Sequence, residues 1–250
     1  MPIILKSDDE IAIMREAGRI VANTLQLLVD ALRPGLVVKE LDKIARKEFE
    51  KHGVVPTFLG YHGYPATVCV SVNEQVVHGI PGKRVIQEGD VVSIDLGCTY
   101  KGFVADSAVT VIVGKPKSPV AEKLVRVTKE ALDIGIAHAK EGSRLGEISH
   151  AIQQHIEANG FGVVREYVGH GVGRQMHEEP QVPNFGPPDR GPILKKGMVL
   201  ALEPMVTVGD WRTRQLDDNW TVVTADGSLA AHFEHTIAIT ENGARVLTVP

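Results

Sequence analysis

The chain repeats itself at an offset of 107 residues, and this duplication restricts its possible folds more than any other feature. Gly35 lies 107 positions before Gly142, and Gly53 lies the same distance before Gly160. In each copy the second glycine ends a helical segment, "ELDKIARKEFEKHG" and then "EISHAIQQHIEANG". A longer run of helically spaced apolar residues precedes each segment. One supersecondary unit is therefore written twice.

Two strand-like segments follow each helical pair. The first copy continues with "EGDVVSIDLG" and "FVADSAVTVIVG", and the second with "KGMVLALEP" and "AHFEHTIAIT". Alternating apolar residues predict that each pair forms neighbouring antiparallel strands. We predict an α+β fold, a single domain over 1–250 built of two halves (about 1–114 and 115–250) related by a pseudo-two-fold axis. The antiparallel sheets join, and the helices cover their outer face.

Each of the four strand segments carries one candidate carboxylate at or near its end or centre, within an apolar run. These residues are Asp95, Asp106, Glu203 and Glu234. Taken singly, each is explained as well by a structural role, such as capping a turn or pairing with an arginine, as by metal binding. Four acids at matching places in two repeats need a cation or shared protons, because an unpaired buried charge is strongly destabilising. A bound divalent metal relieves the mutual repulsion most directly.

A histidine between glycines adds a nitrogen ligand to this set. His170 lies in "GHGVG", where the glycines permit the close backbone approach that a crowded metal centre needs. A histidine of this kind on its own is more often a hydrogen-bonded loop residue. Four carboxylates and one imidazole suit manganese, iron, cobalt or zinc, and bridging carboxylates can hold two ions roughly 3.5–4 Å apart.

The composition excludes several other classes of protein. Hydrophobic residues make up 43% of the 250, enough for a large core without disulfides, and the two cysteines, Cys69 and Cys98, fit a reducing compartment. The N-terminus lacks the pattern of a signal peptide, and no segment is long and apolar enough to span a membrane. With 27 basic and 31 acidic residues, direct nucleic-acid recognition is not expected. We predict a cytoplasmic protein.

The five candidate ligands, in their order and local contexts, resemble those of the type I methionine aminopeptidases. The contexts are "SIDLG", "ADSAVT", "GHGVG", "ALEP" and "FEHT", and "YHGYPATVCVSVNEQVVHGIP" at 61–81 is a second family signature. The resemblance covers essentially the whole chain and implies the duplicated "pita-bread" fold. No long insertion separates His170 from Glu203, which favours type I over type II, and the chain begins at the catalytic domain, as in bacterial members.

The resemblance implies a centre of two divalent ions, drawn from Co, Mn, Fe, Zn and Ni. One ion takes Asp95, Asp106 and Glu234, and the last two of these bridge to a second ion, which also takes His170 and Glu203. The ions activate a water that attacks the carbonyl after the first residue, and Glu203 carries the proton of that water. The family's reaction removes an N-terminal methionine, preferably before a small second residue.

The resemblance gives two further histidines catalytic roles. His78 is expected to contact the nitrogen of the scissile amide, and His177 the carbonyl oxygen as charge develops on it. Taken without the family, His78 reads as a turn residue before Gly79. His177 then reads as a surface residue beside Glu178 and Glu179.

An apolar pocket shaped for a thioether is also implied. The matching family positions are Tyr61, Tyr64, Cys69 and Trp220. Aromatic edges stabilise a sulfur atom by about 0.3–1.5 kcal/mol per contact, although core packing also explains the tyrosines. Phe58 stands where relatives often carry a smaller residue, and Met176 where phenylalanine is common, so these two bear on the width of the pocket and its tolerance for the second residue.

Three other functions compete with methionine removal. One, a dinuclear hydrolase of phosphate esters, is disfavoured by the lack of a basic phosphate clamp. An Xaa-Pro peptidase of the same fold would use the same five ligands, and a non-catalytic binding protein of this fold should have lost some of them. If the chain is a methionine aminopeptidase, its partners are N-terminal methionyl peptides and nascent chains, which would bring transient association with the ribosome. No long hydrophobic surface motif is present, so a monomer is expected.

Overall fold

The computed structural model describes residues 2–250 and places the repeat in two pairs of helices. The α-helices of this part of the chain are α1 (Asp8–Ala31), α2 (Lys39–His52), α3 (Pro119–His138) and α4 (Leu145–Ala158), and a 3-10 helix covers Tyr61–Gly63. The repeated glycines share a backbone conformation, with φ of 87° and 86° at Gly35 and Gly142, and 64° and 81° at Gly53 and Gly160. A β-carbon disfavours this left-handed conformation, so the duplication preserves a backbone requirement.

Side-chain caps begin the long helix of each copy. The sequence predicts a capping box at Ser7 and Glu10, and the structure contains it. Ser7 Oγ accepts from Glu10 N at 3.2 Å, and the Glu10 carboxylate accepts from Ser7 N at 3.0 Å. In α3, Ser118 Oγ accepts from Ala121 N at 3.3 Å. These bonds satisfy N–H groups that the first turn of a helix leaves unpaired.

The strands of the two halves range from two to ten residues in length. Those of the first half are β1 (Val55–Pro56), β2 (Cys69–Val72), β3 (Gln75–Val77), β4 (Val91–Tyr100) and β5 (Phe103–Ile112). Those of the second half are β6 (Gly162–Val163), β7 (Gly169–Gly171), β8 (Glu178–Val182), β9 (Val199–Leu202), β10 (Met205–Thr207), β11 (Thr213–Gln215), β12 (Val222–Thr224), β13 (Ala230–His232), β14 (Glu234–Thr240) and β15 (Gly243–Val246).

One antiparallel sheet joins the two halves. Its strand order is β1-β4-β5-β14-β9-β7-β8, with β2 added beside β4 and β15 beside β14. The junction lies between β5 and β14, which pair at Glu234 with Ala108 and at His235 with Ser107. Two smaller sheets, β13-β10-β6 and β11-β12-β3, lie off this path. The predicted strand pairs are confirmed, since β4 pairs with β5 and β9 with β14.

Two hydrophobic cores flank the junction. Met14, Phe49 and Ile94 belong to the core of the first half, where α1 packs on β4 and β5. Ile152 belongs to the core of the second half, where α3 packs on α4. Val109 of β5 contacts both cores. The predicted α+β fold with joined antiparallel sheets is confirmed, while the boundary near residue 114 stays a prediction.

Helix α1 and the first-half carboxylates lie on opposite faces of the sheet. Cys98 Sγ donates to Ala17 O of α1 at 3.6 Å. Because side chains alternate along a strand, Asp95, three residues before Cys98, points to the other face. The candidate ligands therefore meet on the side of the sheet away from α1. In residues 2–250, each helix is too short or too polar to cross a membrane.

Candidate active site

Strand register brings three carboxylates together across the junction of the halves. Ala108 of β5 lies opposite Asp95 of β4 on one side and opposite Glu234 of β14 on the other. Asp106, two residues before Ala108, points to the same face. Asp106 is opposite Gly97, so the two aspartates are diagonal neighbours on one face of the β4–β5 pair. The small Ala108 side chain leaves the space between the carboxylates open.

The second half contributes an imidazole and a fourth carboxylate. His170 lies in β7 opposite Ala201, and Glu203 directly follows β9. His170 Nε2 is 3.5 Å from Glu203 Oε1 and 4.0 Å from Asp106 Oδ2. His170 Nδ1 lies 2.9 Å from Gly171 O, and donation to that oxygen leaves the Nε2 lone pair facing the acids.

The glycines around His170 are required by packing. A β-carbon at Gly169 would collide with Ala201 O, and one at Gly171 would collide with Glu179 O. The neighbouring strands therefore approach β7 more closely than a larger residue would allow. The sequence analysis favoured His170 as a ligand because its flanking glycines permit such a close approach.

The pKa values of the four clustered acids and of His170 are strongly shifted. Burial, and next the charge of Asp106, raise the pKa of Glu203 and of Glu234 well above the ordinary glutamate value. The same two causes raise the pKa of Asp95, and burial raises the pKa of Asp106 to about 7. Burial lowers the pKa of His170 to about 3, so its ring is neutral at pH 7. A neutral imidazole is the form that binds metal.

This donor set fits a divalent metal. Asp106, His170 and Glu234 each offer a ligand atom, and these atoms lie within 4.8 Å of one another. Three carboxylate oxygens, Asp95 Oδ1, Asp106 Oδ1 and Glu234 Oε1, are buried and accept no hydrogen bond. Buried carboxylate oxygens without a donor are rare, and a cation is the partner that their chemistry requires.

Two predicted catalytic histidines flank this cluster. His78 follows β3 with φ of 59°, and its ring packs edge-on against Tyr167 at 5.7 Å and Trp220 at 6.3 Å. Burial, with a smaller contribution from His177, lowers the pKa of His78 to about 4. The ring centroid of His177 is 4.3 Å from that of His170. Both histidines line one cavity with the acids, and their catalytic roles stay predictions.

The residues predicted for the methionine pocket share one cavity with the acids. Among its lining residues are Phe58, Tyr61, Tyr64, Cys69, Met176 and Trp220. Tyr64 and Trp220 contact edge to face at 5.0 Å, and Tyr64 OH donates to Gly79 O at 3.0 Å. Cys69 lies opposite Asp95 in the β2–β4 pair, and burial raises its pKa so that it stays a thiol. The tyrosine at 64 therefore serves both the core and the cavity wall.

One residue of the cluster has no counterpart in the sequence prediction. His232 is fully buried, and its Nε2, without a hydrogen-bond partner, lies 3.7 Å from Glu203 Oε2. Burial lowers the pKa of His232 to about 3. The available signal was its position two residues before Glu234 in "AHFEHT", which reads in the sequence as one strand with both residues on one face. In the structure, β13 ends at His232 and β14 begins at Glu234, in different sheets.

Comparisons with known proteins agree with this site. Residues 12–241 match the model of metallopeptidase family M24. The chain is 54% identical to the methionine aminopeptidase of Clostridium perfringens, covering 99% of both chains, and 55% identical to methionine aminopeptidase 1 of Bacillus subtilis, covering 98% of this chain and 99% of that one.

Solved structures show the same fold. The methionine aminopeptidase of Thermotoga maritima superposes with a TM-score of 0.98 at 50% identity, and each chain is covered completely. The prolidase of Pyrococcus furiosus superposes with a TM-score of 0.79 at 25% identity, covering 99% of this chain and 66% of the prolidase. The pita-bread fold expected from the sequence is confirmed. The chain therefore belongs to metallopeptidase family M24 and, within it, to the bacterial methionine aminopeptidases.

Proposed function

We propose that the protein removes the N-terminal methionine from peptides and nascent proteins with two divalent metal ions. The observation that carries this proposal is the cluster of buried, unpaired carboxylates that opens into an aromatic cavity. The ions would be held by Asp95, Asp106, His170, Glu203 and Glu234, with Asp106 and Glu234 shared between them. Such ions lower the pKa of water and polarise a carbonyl group.

Glu203 is the proton carrier in this proposal. Its carboxylate lies between the imidazoles of His170 and His232, at 3.5 and 3.7 Å. A carboxylate held in this way can take a proton from water and return it to a leaving group. Glu203 accepts a proton from the attacking water and passes it to the amine that leaves. His232, buried and neutral, limits the directions in which this carboxylate can turn.

The two flanking histidines bind the scissile peptide group. His78 contacts the amide nitrogen, and its lowered pKa keeps the ring neutral so that it adds no charge beside the leaving amine. His177 donates from Nε2 to the carbonyl oxygen as negative charge develops there, which is the chemistry of an oxyanion hole. Tyr61 OH lies 2.6 Å from His177 Nδ1 and fixes that ring.

The methionine side chain occupies the aromatic end of the cavity. Tyr64 and Trp220 present ring edges there, and Cys69 adds a polarisable thiol, a wall that suits a thioether. Phe58 and Met176 are both buried at 7% exposure and reduce the width of this pocket. The crowded acids favour a small second residue. We place this reaction in the cytoplasm, on a monomeric enzyme that meets nascent chains at the ribosome.

The first test is hydrolysis of Met-Ala-Ser by metal-free protein titrated with manganese, iron(II) or cobalt. Metal-dependent release of methionine is expected. Asp106→Asn should abolish it by removing a shared ligand, whereas His78→Ala should slow turnover and leave metal binding intact. Metal binding without any release of methionine would contradict the proposed substrate.

The same assay separates the competing peptidase. The likeness to a prolidase makes an Xaa-Pro substrate the alternative to exclude, since one fold can serve more than one activity. We expect Met-Ala-Ser to be cleaved with a much higher kcat/KM than Xaa-Pro dipeptides. The reverse preference would assign the chain to the other activity.

A further inference from the structure

Lys6 and Glu178 form an ion pair that the proposed chemistry does not use. Lys6 Nζ lies 2.6 Å from Glu178 Oε2, and the two side chains are only 3% and 8% exposed. Charged side chains are almost never buried to this extent unless they are paired. The two residues are far apart in sequence, but Glu178 directly follows His177. The pair therefore connects the segment before α1 to a residue of the active site.

Glu178 determines the shape of the loop that carries His177. Residues 172–177 connect β7 to β8 and bring Met176 and His177 to the cavity. The second carboxylate oxygen, Glu178 Oε1, accepts from Arg174 N at 2.8 Å and from Gln175 N at 3.2 Å. One carboxylate thus holds the turn through two backbone N–H groups while its other oxygen binds Lys6.

Lys6 is itself fixed by the backbone around it. Lys6 N donates to Gly197 O at 2.7 Å, just before β9, and Lys6 Nζ also donates to Ile4 O at 3.0 Å. A β-carbon at Gly173 would collide with both the Lys6 side chain and the Glu178 carboxylate. The backbone hydrogen bond to Gly197 therefore fixes Lys6, and the absence of a side chain at Gly173 leaves room for its ammonium group to reach Glu178.

We infer that Lys6 is a positioning residue for His177, acting through Glu178 and the 172–177 loop. This inference rests on the proposed function, in which His177 stabilises the developing oxyanion. Without Lys6, the Glu178 carboxylate would be buried with no counter-ion, which is strongly destabilising. Rotation of the carboxylate into solvent relieves that cost, but it releases the N–H groups of Arg174 and Gln175. The loop then loses the conformation that directs His177 toward the cavity.

The test compares Lys6→Met in two backgrounds, the wild type and His177→Ala, with Met-Ala-Ser as substrate. In the wild type we expect kcat to fall about tenfold or more, since small displacements of a catalytic group have effects of this size. The affinity for manganese should stay near the wild-type value, because all five proposed ligands lie outside the 172–177 loop. In the His177→Ala background, Lys6→Met should cause no further loss of kcat, because the residue through which it acts is absent.

Two further variants keep the test decisive. As a control for general stability, Lys117→Met breaks the pair with buried Asp90, 2.9 Å apart, in which the lysine side chain is 58% exposed. Neither residue lines the cavity, so this variant should lower Tm without lowering kcat. If Lys6→Met cannot be purified, Glu178→Gln replaces it. This variant retains the shape of the side chain and removes the charge, and its loss of kcat should depend on His177 in the same way.

A readout that needs no substrate separates this inference from the proposed function. In spectra of protein labelled with 15N-histidine, Lys6→Met should shift the ring signals of His177 and leave those of His138, exposed on α3, unchanged. Unshifted His177 signals, or equal losses of kcat in the two backgrounds, would overturn the inference. A wild-type protein that releases no methionine would instead contradict the proposed function, and the spectra would still report on the loop.

Discussion

In the proposed reaction, the hydroxyl of Tyr61 would select the ring nitrogen through which His177 donates. When Tyr61 OH donates to Nδ1 across 2.6 Å, the single proton of the neutral ring resides on Nε2 and can be donated to the substrate. We expect Tyr61→Phe to lower kcat about fivefold, the effect of losing one hydrogen bond of about 1 kcal/mol, with little change in KM. Steady-state kinetics on Met-Ala-Ser measures both constants.

A second substitution separates the ring of Tyr61 from its hydroxyl. Tyr61→Leu removes the pocket wall as well, so KM should rise in addition to the fall in kcat. If Tyr61→Phe retained the wild-type kcat, the hydroxyl would not orient His177, and the residue would serve the pocket alone.

The charge state of Asp106 should be visible in the stability of the metal-free protein. Burial raises its pKa from 3.8 to about 7 in the folded chain. A group whose pKa is raised on folding stabilises the fold below its unfolded pKa, and this contribution is lost as pH rises through about 7. Asparagine imitates the protonated form. With a chelator present, Asp106→Asn should therefore have a higher Tm than the wild type at about pH 8, and the two should converge near pH 5.

Scanning calorimetry of both proteins across this range is the measurement. If the wild type had the higher Tm at about pH 8, the charge of an ionised Asp106 would be compensated by other groups without metal. Excess manganese should raise the Tm of the wild type at the alkaline end of this range. It should have little effect on the Tm of Asp106→Asn, which lacks the shared ligand.

Among individual residues, the sequence predicted those whose immediate neighbours in the chain form a distinctive pattern. Asp95 and His170 stand in distinctive contexts of strand and glycine, so their roles could be inferred from neighbours in the chain. The pair of Lys6 and Glu178 could not be predicted, because its partners are 172 residues apart and each reads as an ordinary surface charge. Burial, a property of the folded chain, is what distinguishes them. The position of Glu178 beside His177 was visible, but its attachment to Lys6 was not.

Among the elements, β5 and β14 are joined by side-chain hydrogen bonds as well as by their backbones. Their backbones pair at two positions. Beyond these, Thr236 Oγ1 accepts from Asp106 N at 3.0 Å and donates to Asp106 O at 2.7 Å. Thr236→Val should lower the free energy of unfolding by about 1–3 kcal/mol, the cost of leaving buried backbone groups unpaired. It should also weaken manganese binding, because Asp106 loses its backbone support.

Chemical denaturation and calorimetric titration with manganese measure the two effects of Thr236→Val. Thr240→Val is the matched control on the same strand, where the hydroxyl donates to Gly243 O at 2.7 Å in the turn to β15. The control should lose stability and retain metal affinity. Equal losses of affinity in both variants would mean that Thr236 affects the site only through general stability.

The long elements were predictable and the short ones were not. A clear apolar period needs many residues, and helices α1 to α4 and the strands around Asp95 and Asp106 are long enough to show one. The repeat adds support, because each helix has a counterpart in the other copy. Strands such as β3, β11 and β12 have three residues each, too few to show a period. Their pairing links distant parts of the chain, so only the folded molecule reveals that β3 of the first half joins a sheet of the second.

For the whole molecule, metal should stiffen the junction of the halves. Asp106 on β5 and Glu234 on β14 come from different halves, so an ion held by both must be released before the strands separate. Manganese should therefore slow amide exchange in β5 and β14, as measured by hydrogen–deuterium exchange with mass spectrometry. The exposed β11 serves as the internal control and should exchange at the same rate with and without metal. Uniform protection of all three strands would indicate a general effect of binding.

The division of the acids between the two repeats also governs how activity responds to dilution. The first copy supplies Asp95 and Asp106, and the second supplies His170, Glu203 and Glu234, so neither copy alone has the full set. Two separate copies would have to find each other in solution, and their activity would disappear at low concentration. Because one chain contains both, each copy always experiences a high effective concentration of the other. The rate per molecule should therefore be the same in a very dilute solution as in a concentrated one.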